Sequence, residues 1–276
     1  MSDQTRPPNK PVKTPRTRSR LEQLISLHAN ATGQAQNRLR NWVSFMVFAG
    51  AIERALLEDG TPAFWFKGGV TMQARFPGPA RATRDVDAMF RIGSPAADGN
   101  GDANDEPVVG VDHRALWTAL DEALSDGYLG FTLEAEEPKQ IRDTVFFASR
   151  IKLSFAGRSW SSVKLEISPP EGSASEPEKV PALPLDFVGL QGPKSLPCVP
   201  VRYQIAQKLH AVTERFSDRE NGRERDLIDL ILLRKLVDDL GEVRDACVET
   251  FATRRQHTWP PELNAELAEI DAAGGN

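Results

Sequence analysis

A pair of glycines followed by two closely spaced aspartates constrains this chain more than any other feature of its sequence. Residues 64–66 are bulky and apolar with no breaker, which predicts a short buried strand. Gly68 and Gly69 follow, and glycine permits positive φ and a close approach of backbone N–H groups to an anion. Residues 70–76 then predict a short helix whose N-terminus faces the same anion. This order predicts a turn that binds phosphate.

Acidic residues on two predicted strands supply the second half of the pattern. Residues 84–90 predict a strand on which Asp85 and Asp87 share one face. Neighbouring carboxylates repel each other unless a cation lies between them, and oxygen ligands suit Mg²⁺. Residues 162–168 alternate between apolar and polar side chains and present Glu166 on the polar face. If the two strands are neighbours, three carboxylates converge and could hold two Mg²⁺ ions for in-line displacement at a phosphate.

Each of these pieces also has an ordinary structural interpretation. A single Gly-Gly pair is a turn in most proteins, and a single Asp-x-Asp is usually a solvated strand end. Glu166 alone would be an exposed residue on an edge strand. The functional hypothesis therefore depends on the order and the combination of the three.

Composition narrows the class of protein. The chain has 276 residues, of which 40% are hydrophobic, enough for one large or two modest domains with a core. No apolar run approaches the length of a membrane span, and the N-terminus lacks the apolar stretch of a signal peptide, so we expect a cytoplasmic protein without membrane contact. Two isolated cysteines and four scattered histidines do not have the spacing of a disulfide framework or a zinc site.

Charge is distributed unevenly along the chain. Residues 1–20 carry six basic side chains against one acid and predict a disordered, solubilising tail, with electrostatic affinity for a phosphate backbone as the alternative. Subtracting these from the totals of 34 basic and 39 acidic residues leaves 28 and 38, a net charge of −10 for residues 21–276. Nucleic-acid binding would therefore need a local basic patch.

The remaining periodicities divide the chain into a mixed half, residues 21–190, and a helical half, residues 191–276. Helices are predicted at 21–30 and 34–57, from the N-cap Asp112, at 201–216 and from 223. Strands are predicted at 128–135, 144–155 and 159–168. Residues 93–110 are predicted as a surface loop and 169–184 as a proline-rich connector. The core positions predicted in the helical half are Val201, Ile205, Leu209, Val212, Phe216, Leu227, Ile228, Leu230 and Ile231.

The helical half contains a second group of charged residues. Lys208 lies on the flank of one predicted helix, and Asp226 and Asp229 share a face of the next, because they are three residues apart. These residues alone favour a salt bridge between the helices, from Lys208 to one aspartate.

Taken together, these segments resemble the AbiEii/AbiGii family of nucleotidyltransferase toxins, which belongs to the DNA polymerase β-like superfamily and is associated with phage-defence and toxin–antitoxin operons. Residues 64–70 with 84–87 are similar to the family's Lys-Gly-Gly turn and Asp-x-Asp strand. Residues 163–168 are similar to its third-acid strand. Residues 205–211 and 223–230 are similar to its Lys-Leu helix and Arg-Asp-x-x-Asp helix. Val70 departs from the Ser or Thr of many relatives, and Glu166 replaces the commoner Asp.

The resemblance implies an α+β fold: a polymerase-β-like core, with a mixed sheet flanked by helices, followed by a helical C-terminal domain. It implies that Asp85, Asp87 and Glu166 bind Mg²⁺ and take part in catalysis, that Lys208 contacts the triphosphate and that Asp226 is needed for activity. The residues that it places around the nucleotide are Lys67, Gly68, Gly69, Thr71, Arg84, Lys208 and Arg225.

The activity implied is transfer of a nucleoside monophosphate from an NTP to RNA, since some mycobacterial relatives add nucleotides to the 3′ end of tRNA. A cognate antitoxin protein is the partner that the resemblance implies. Two alternatives stay open at this point. One is transfer to a small molecule or a protein hydroxyl, which the acidic body favours. The other is a non-catalytic nucleotide-binding module, for which Val70 is the only indication.

Overall fold

The computed structural model describes residues 11–78, 83–95, 109–215 and 221–261. In these ranges the helices are α1 (Arg18–Thr32), α2 (Gln36–Ile52), α3 (Gly68–Arg75), α4 (His113–Leu124), α5 (Val201–Thr213), α6 (Glu224–Arg234) and α7 (Leu240–Arg254). The strands are β1 (Phe64–Lys67), β2 (Asp85–Phe90), β3 (Gly93–Pro95), β4 (Val109–Val111), β5 (Phe131–Ala135), β6 (Lys139–Gln140), β7 (Phe147–Phe155), β8 (Arg158–Ser168), β9 (Glu178–Pro181) and β10 (Ser195–Cys198).

One mixed sheet organises the molecule. Its strand order is β5-β7-β8-β2-β1-β10-β9, with β6 paired to β7, while β3 and β4 form a separate two-stranded sheet. β2 is antiparallel to β1 and parallel to β8, and β1 is parallel to β10. The α+β class and the mixed sheet flanked by helices are therefore confirmed.

Alternation along the strands creates two hydrophobic cores, one on each face of the sheet. Ala88 of β2 and Leu165 of β8 belong to the larger core, which also includes side chains of α1, α2 and α4. On the opposite face, Trp65 of β1 and Met89 of β2 pack with residues of α5 and α7, such as Phe251. The strands β1, β2 and β10 are thus covered on both faces, which explains why residues 64–66 are uniformly bulky and apolar.

Several predicted elements differ in detail. The connector predicted at 169–184 contains β9, and β10 lies between β1 and β9, so residues after 190 supply a strand as well as helices. α1 begins at Arg18, inside the predicted tail. The N-cap at Asp112 is confirmed, since its carboxylate accepts a 2.9 Å hydrogen bond from the backbone N–H of Ala115.

The predicted core of the helical half is only partly correct. Ile228 and Ile231 of α6 are 60% and 65% exposed, whereas α5 buries Tyr203, Ala206 and His210. Ile205 is buried as predicted, and Phe216 lies outside the described residues. Among the described helices, none combines the length and apolar character needed to cross a membrane.

Candidate active site

The register of the central strands places the predicted acids on one side of the sheet. Asp85 lies opposite Lys164, and Asp87 lies opposite Glu166, across the parallel pair β2–β8. Opposed residues of neighbouring strands point to the same face, so the structure brings Asp85, Asp87 and Glu166 to one surface. On the other side of β2, Lys67 lies opposite Asp87. The central position of β2 therefore gathers three acids and one lysine.

The glycine turn packs directly against this surface. β1 ends at Lys67, and α3 begins immediately at Gly68, which adopts a φ of +64°. A Cβ at Gly68 would overlap the Oδ2 atom of Asp87, and a Cβ at Gly69 would overlap the Thr83 hydroxyl. The absence of side chains is thus what lets the N-terminus of α3 approach the carboxylate of β2. This N-terminus presents backbone N–H groups and a partial positive charge beside Asp87.

Asp87 is in an environment that opposes its negative charge. Burial raises the pKa of Asp87 above its usual range, and the nearby carboxylates of Glu166 and Asp85 raise it further. The positive charges of Lys67 and Lys208 act in the opposite direction. A buried carboxylate beside two others gains the most from an additional cation, which is the electrostatic condition for binding a metal ion.

Three carboxylates on one face of the sheet supply oxygen donors of the kind that a divalent cation binds. Within the described ranges, no three His, Cys, Asp or Glu side chains are arranged to hold a metal ion. Glu166 makes an ion pair with Lys164 on the same strand. Asp85 and Asp87 are available as two oxygen ligands, and Glu166 becomes a third if its carboxylate exchanges Lys164 for the ion.

Lys67 supplies a positive charge on the opposite side of Asp87. Its Nζ donates a 2.7 Å hydrogen bond to the Oγ of Ser168, the last residue of β8. Burial lowers the pKa of Lys67, and the carboxylates of Glu171, Asp87 and Glu166 oppose this decrease. The hydrogen bond to β8 therefore fixes the ammonium group of Lys67 beside the glycine turn.

Lys208 and both aspartates of α6 form one buried ion cluster. The Nζ of Lys208 lies 2.7 Å from Asp226 Oδ1 and 2.7 Å from Asp229 Oδ2. Arg223 lies 3.5 Å from the second oxygen of Asp226. The salt bridge predicted between the helices is present and includes two acids instead of one. Asp226 thus contacts Lys208 at the junction of α5 and α6.

Three other predicted nucleotide-binding residues lie in different settings. The hydroxyl of Thr71 is fully buried, 2.9 Å from the carbonyl oxygen of Gly68 and 2.9 Å from Oε1 of Gln204 on α5. Arg84, which precedes Asp85, is exposed, and Arg225 at the start of α6 is exposed. Thr71 therefore supports the glycine turn from inside the protein, while the two arginines are open to solvent.

A buried carboxylate near Lys67 is absent from the residues predicted from sequence. Glu171 accepts hydrogen bonds from Arg254 Nε at 2.8 Å, Arg254 NH2 at 3.0 Å and Gln207 Nε2 at 2.6 Å. It follows two prolines in the segment predicted as a connector. A single glutamate in a polar, proline-rich stretch carries no pattern that distinguishes it from a solvated residue, so its burial was not predictable.

Two cavities among the described residues lie away from the carboxylate surface. A cavity of about 840 Å³ lies between residues 11–14, α1 and residues 186–191, and a second of about 550 Å³ lies near the start of α5. Neither is lined by Asp85, Asp87 or Glu166. The acids lie at the border between the half of the sheet that α5 and α7 cover and the half, β8 to β5, whose outer side chains are exposed.

Comparisons with known proteins identify one matching family and several similar solved structures. The sequence model of one family, described as nucleotidyl transferase AbiEii toxin of type IV toxin–antitoxin systems, matches residues 51–274. A search among curated protein sequences found no match.

Among solved structures, MenT4, a nucleotidyltransferase toxin from Mycobacterium tuberculosis H37Rv, is similar with a TM-score of 0.57 and 18% identity, covering 88% of this chain and 75% of that one. This similarity shows a nucleotidyltransferase fold. A nucleotidyltransferase-like protein from Paracoccidioides brasiliensis has a TM-score of 0.37 at 15% identity, covering 89% of this chain and 91% of that one. The antibiotic-resistance factor ANT(2'')-Ia has a TM-score of 0.37 at 14% identity, covering 84% and 97%. TM-scores below 0.5 are too low to support a conclusion.

Proposed function

The chain belongs to the AbiEii family of nucleotidyl transferase toxins of type IV toxin–antitoxin systems, and from this premise we propose that it transfers a nucleoside monophosphate from an NTP to RNA, at the 3′ end of tRNA. The observation that carries the proposal is the convergence of Asp85, Asp87 and Glu166 beside the glycine turn. We expect it to act in the cytoplasm, in phage defence, with a cognate antitoxin encoded nearby.

The reaction follows from the placement of these groups. Asp85, Asp87 and, after release of Lys164, Glu166 would hold Mg²⁺, which when bound neutralises phosphate charge and favours ionisation of the acceptor hydroxyl. The N–H groups of Gly68 and Gly69 face the β- and γ-phosphates. The acceptor hydroxyl releases its proton to water, its oxygen forms a bond to the α-phosphorus in line, and the bond from that phosphorus to the β-phosphate oxygen breaks. Pyrophosphate leaves with both electrons of that bond, and positioning and charge supply the rate.

Lys208 can serve the nucleotide and the helix junction together. A lysine ammonium has three N–H donors, of which Asp226 and Asp229 accept two. Within the described ranges no further acceptor contacts this ammonium group, so its third donor is open to a phosphate oxygen, and the positive charge of Lys208 also acts on Asp87. We propose that Asp226 orients Lys208, that Lys67 contributes a second positive charge, and that Arg84 and Arg225 contact the nucleotide from the exposed side.

The uncovered half of the sheet favours a polyanionic acceptor. Lys164 lies beside Asp85, Arg150 lies opposite Lys164 on β7, and Lys152 is two residues further along; all three are exposed on the same face as the acids. A basic groove beside Asp85 would distinguish an RNA acceptor from a small molecule, and the arginines of the sequence that could form it are Arg81, Arg84, Arg215, Arg219 and Arg223. Of these, Arg84, Arg215 and Arg223 are exposed, and Arg81 and Arg219 lie outside the described residues.

A small-molecule or protein hydroxyl is the second candidate acceptor, and the net charge of −10 over residues 21–276 favours it. A non-catalytic module is the third. Val70 was its only indication, and this side chain is 1% exposed and packs in the larger core.

Transfer of label tests the proposal directly. We would incubate the purified protein with Mg²⁺, total tRNA and each α-³²P-labelled NTP in turn. Asp85→Ala is the blank, and Asp121→Ala, an exposed aspartate of α4, is the matched control. Label in tRNA with the wild type and the control but not with Asp85→Ala is the expected result. No label in tRNA with any NTP would overturn the RNA proposal and leave a small-molecule acceptor, a protein acceptor or a non-catalytic module.

A further inference from the structure

We propose that Glu171 is a positioning residue that fixes Lys67 and the Lys208-bearing helix α5 against the carboxylate surface, so that both cations meet the triphosphate in the orientation that transfer needs. The proposal rests on the proposed function for the identity of the triphosphate. Among the described residues, the hydrogen-bond partners of the Glu171 side chain are Arg254 and Gln207.

Glu171 occupies the point where three parts of the fold meet. It lies five residues after Glu166, in the segment that leaves β8, and its side chain is 7% exposed. One carboxylate oxygen accepts from Arg254 at the end of α7. The other accepts from Arg254 and from Gln207, the residue next to Lys208 on α5. The end of β8 and the two helices that cover the site are therefore joined through one carboxylate.

The charge of Glu171 balances two buried cations. A buried carboxylate requires strong hydrogen bonds or opposite charges to offset its desolvation. Three hydrogen bonds satisfy most of its acceptor capacity, and the positive charges of Lys67 and Arg254 both favour its ionised form. Conversely, Glu171 is the group that most opposes the effect of burial on Lys67. Without this carboxylate, Lys67 and Arg254 would remain as two like charges with no shared counterion.

The position of Lys67 links this balance to the reaction. Its Nζ is held by Ser168, three residues before Glu171, and its backbone ends β1 immediately before Gly68. A substitution at Glu171 should therefore alter the position of Lys67 beside the glycine turn. It should also alter the position of Lys208, because Gln207 is the neighbouring residue on α5. A carboxylate that only anchored α7 would affect stability without changing the affinity for the NTP.

A half-buried glutamate on β9 offers a matched control. Glu178 makes an ion pair with Arg75 of α3 and accepts a 2.9 Å hydrogen bond from the backbone N–H of Val201 at the start of α5. It resembles Glu171 in joining a helix of the site to α5 through an arginine. Its partners are Arg75 and the backbone of Val201, whereas those of Glu171 are Arg254 and Gln207.

The test is a double-mutant cycle with Glu171→Gln, Lys67→Met and the double variant, beside Glu178→Gln and Glu171→Asp. We would measure the affinity for the NTP by calorimetry, kcat and KM for NTP and acceptor, and the unfolding midpoint. Glu171→Gln should weaken NTP affinity at least tenfold while the acceptor KM stays within twofold, and Glu171→Asp should recover part of the loss. Glu178→Gln should lower the unfolding midpoint and keep NTP affinity within twofold.

The cycle separates positioning from anchoring. If Glu171 acts through Lys67, the substitution Glu171→Gln has little further effect in the Lys67→Met background, so the two effects are strongly non-additive. Additive losses, or equal losses of NTP affinity in Glu171→Gln and Glu178→Gln, would overturn the proposal. Because NTP affinity is measured without an acceptor, failure of tRNA labelling would overturn the proposed acceptor and leave this result standing on its own.

Discussion

At the residue scale, the contact between Gly68 and Asp87 controls the geometry of the site. Replacing Gly68 with alanine imposes a strained positive φ and drives a Cβ into the carboxylate that the site needs most. We expect activity to fall by about 100-fold or more, because a displacement of about 1 Å at a reacting centre has that effect. The measurement is the rate of label transfer together with chemical unfolding.

Gly60→Ala is the control for the backbone strain alone. Gly60 has a φ of +79°, and no atom of the described residues lies within 4 Å of the position that a Cβ would take there. Gly60→Ala should lose about 1 kcal/mol of stability and keep its activity, whereas Gly68→Ala should lose more stability and its activity as well. Equal activity in the two variants would contradict the role assigned to the close approach at Gly68.

His210 gives the protein a calculable dependence on pH. Its ring is fully buried, and neither ring nitrogen has a hydrogen-bond partner among the described residues. Burial lowers the pKa of His210 to about 4 from its ordinary value of 6.5. The folded-state pKa is thus depressed, so the unfolded chain binds a proton that the folded chain does not between these two values. The contribution of His210 to the free energy of unfolding is therefore most favourable to the folded state above pH 6.5, and this advantage is lost as the pH falls toward 4.

We therefore expect His210→Leu to flatten the pH dependence of the free energy of unfolding between pH 7 and 4 by up to about 3 kcal/mol. Urea unfolding at several pH values measures it. Phe251→Leu, which removes a ring 4.8 Å from His210 without removing a titratable group, should keep the steep dependence. A wild-type slope in His210→Leu would show that the buried ring does not govern it.

At the scale of elements, hydrogen bonds between α3 and α5 support the glycine turn. Thr71 joins Gly68 to Gln204, and Gln204 in turn donates a 2.7 Å hydrogen bond to the carbonyl oxygen of Val199. Thr71→Val should cost about 1–2 kcal/mol of stability, because it leaves a buried acceptor without its donor. A direct phosphate contact by Thr71 predicts a large additional rise in the KM for NTP; we expect the KM to change by less than about threefold.

Thr253→Val is the matched control for this prediction. Thr253 is exposed, and its hydroxyl donates to the carbonyl oxygen of Glu249 within its own helix. Removal of this exposed hydroxyl should change the free energy of unfolding by less than about 0.5 kcal/mol. If the KM for NTP rose tenfold in Thr71→Val and not in Thr253→Val, we would conclude that Thr71 contacts the nucleotide directly.

At the scale of the whole molecule, the two cores share one sheet. Trp65 belongs to one core and Trp160 to the other, while β10 pairs with β1 in the centre of the sheet. We expect the full chain to unfold in a single transition that coincides by circular dichroism and tryptophan fluorescence. A fragment of residues 11–190 lacks β10 and exposes Trp65, so it should show no cooperative transition.

The fragment tests the boundary between the mixed half and the helical half. A cooperative melt of residues 11–190 would show that residues 191–276 form a separate domain. Two resolved transitions of the full chain would show the same. The observed sheet order favours one cooperative unit. The two halves of the chain share strand pairing, through β10, and they share the core that contains Trp65 and Phe251.

Local sequence was sufficient for the features that depend on neighbouring residues. The glycine turn, the paired acids on β2 and the N-cap at Asp112 follow from backbone freedom, a period of two and a local hydrogen bond, so short segments encode them. Three-dimensional packing decided the place of β10, the exposure of Ile228 and the burial of Glu171. Glu171 and its partner Arg254 are 83 residues apart, and no local period records such a pairing. Charge burial becomes favourable only when folding brings the counterions together, which is why this part of the site was visible only in three dimensions.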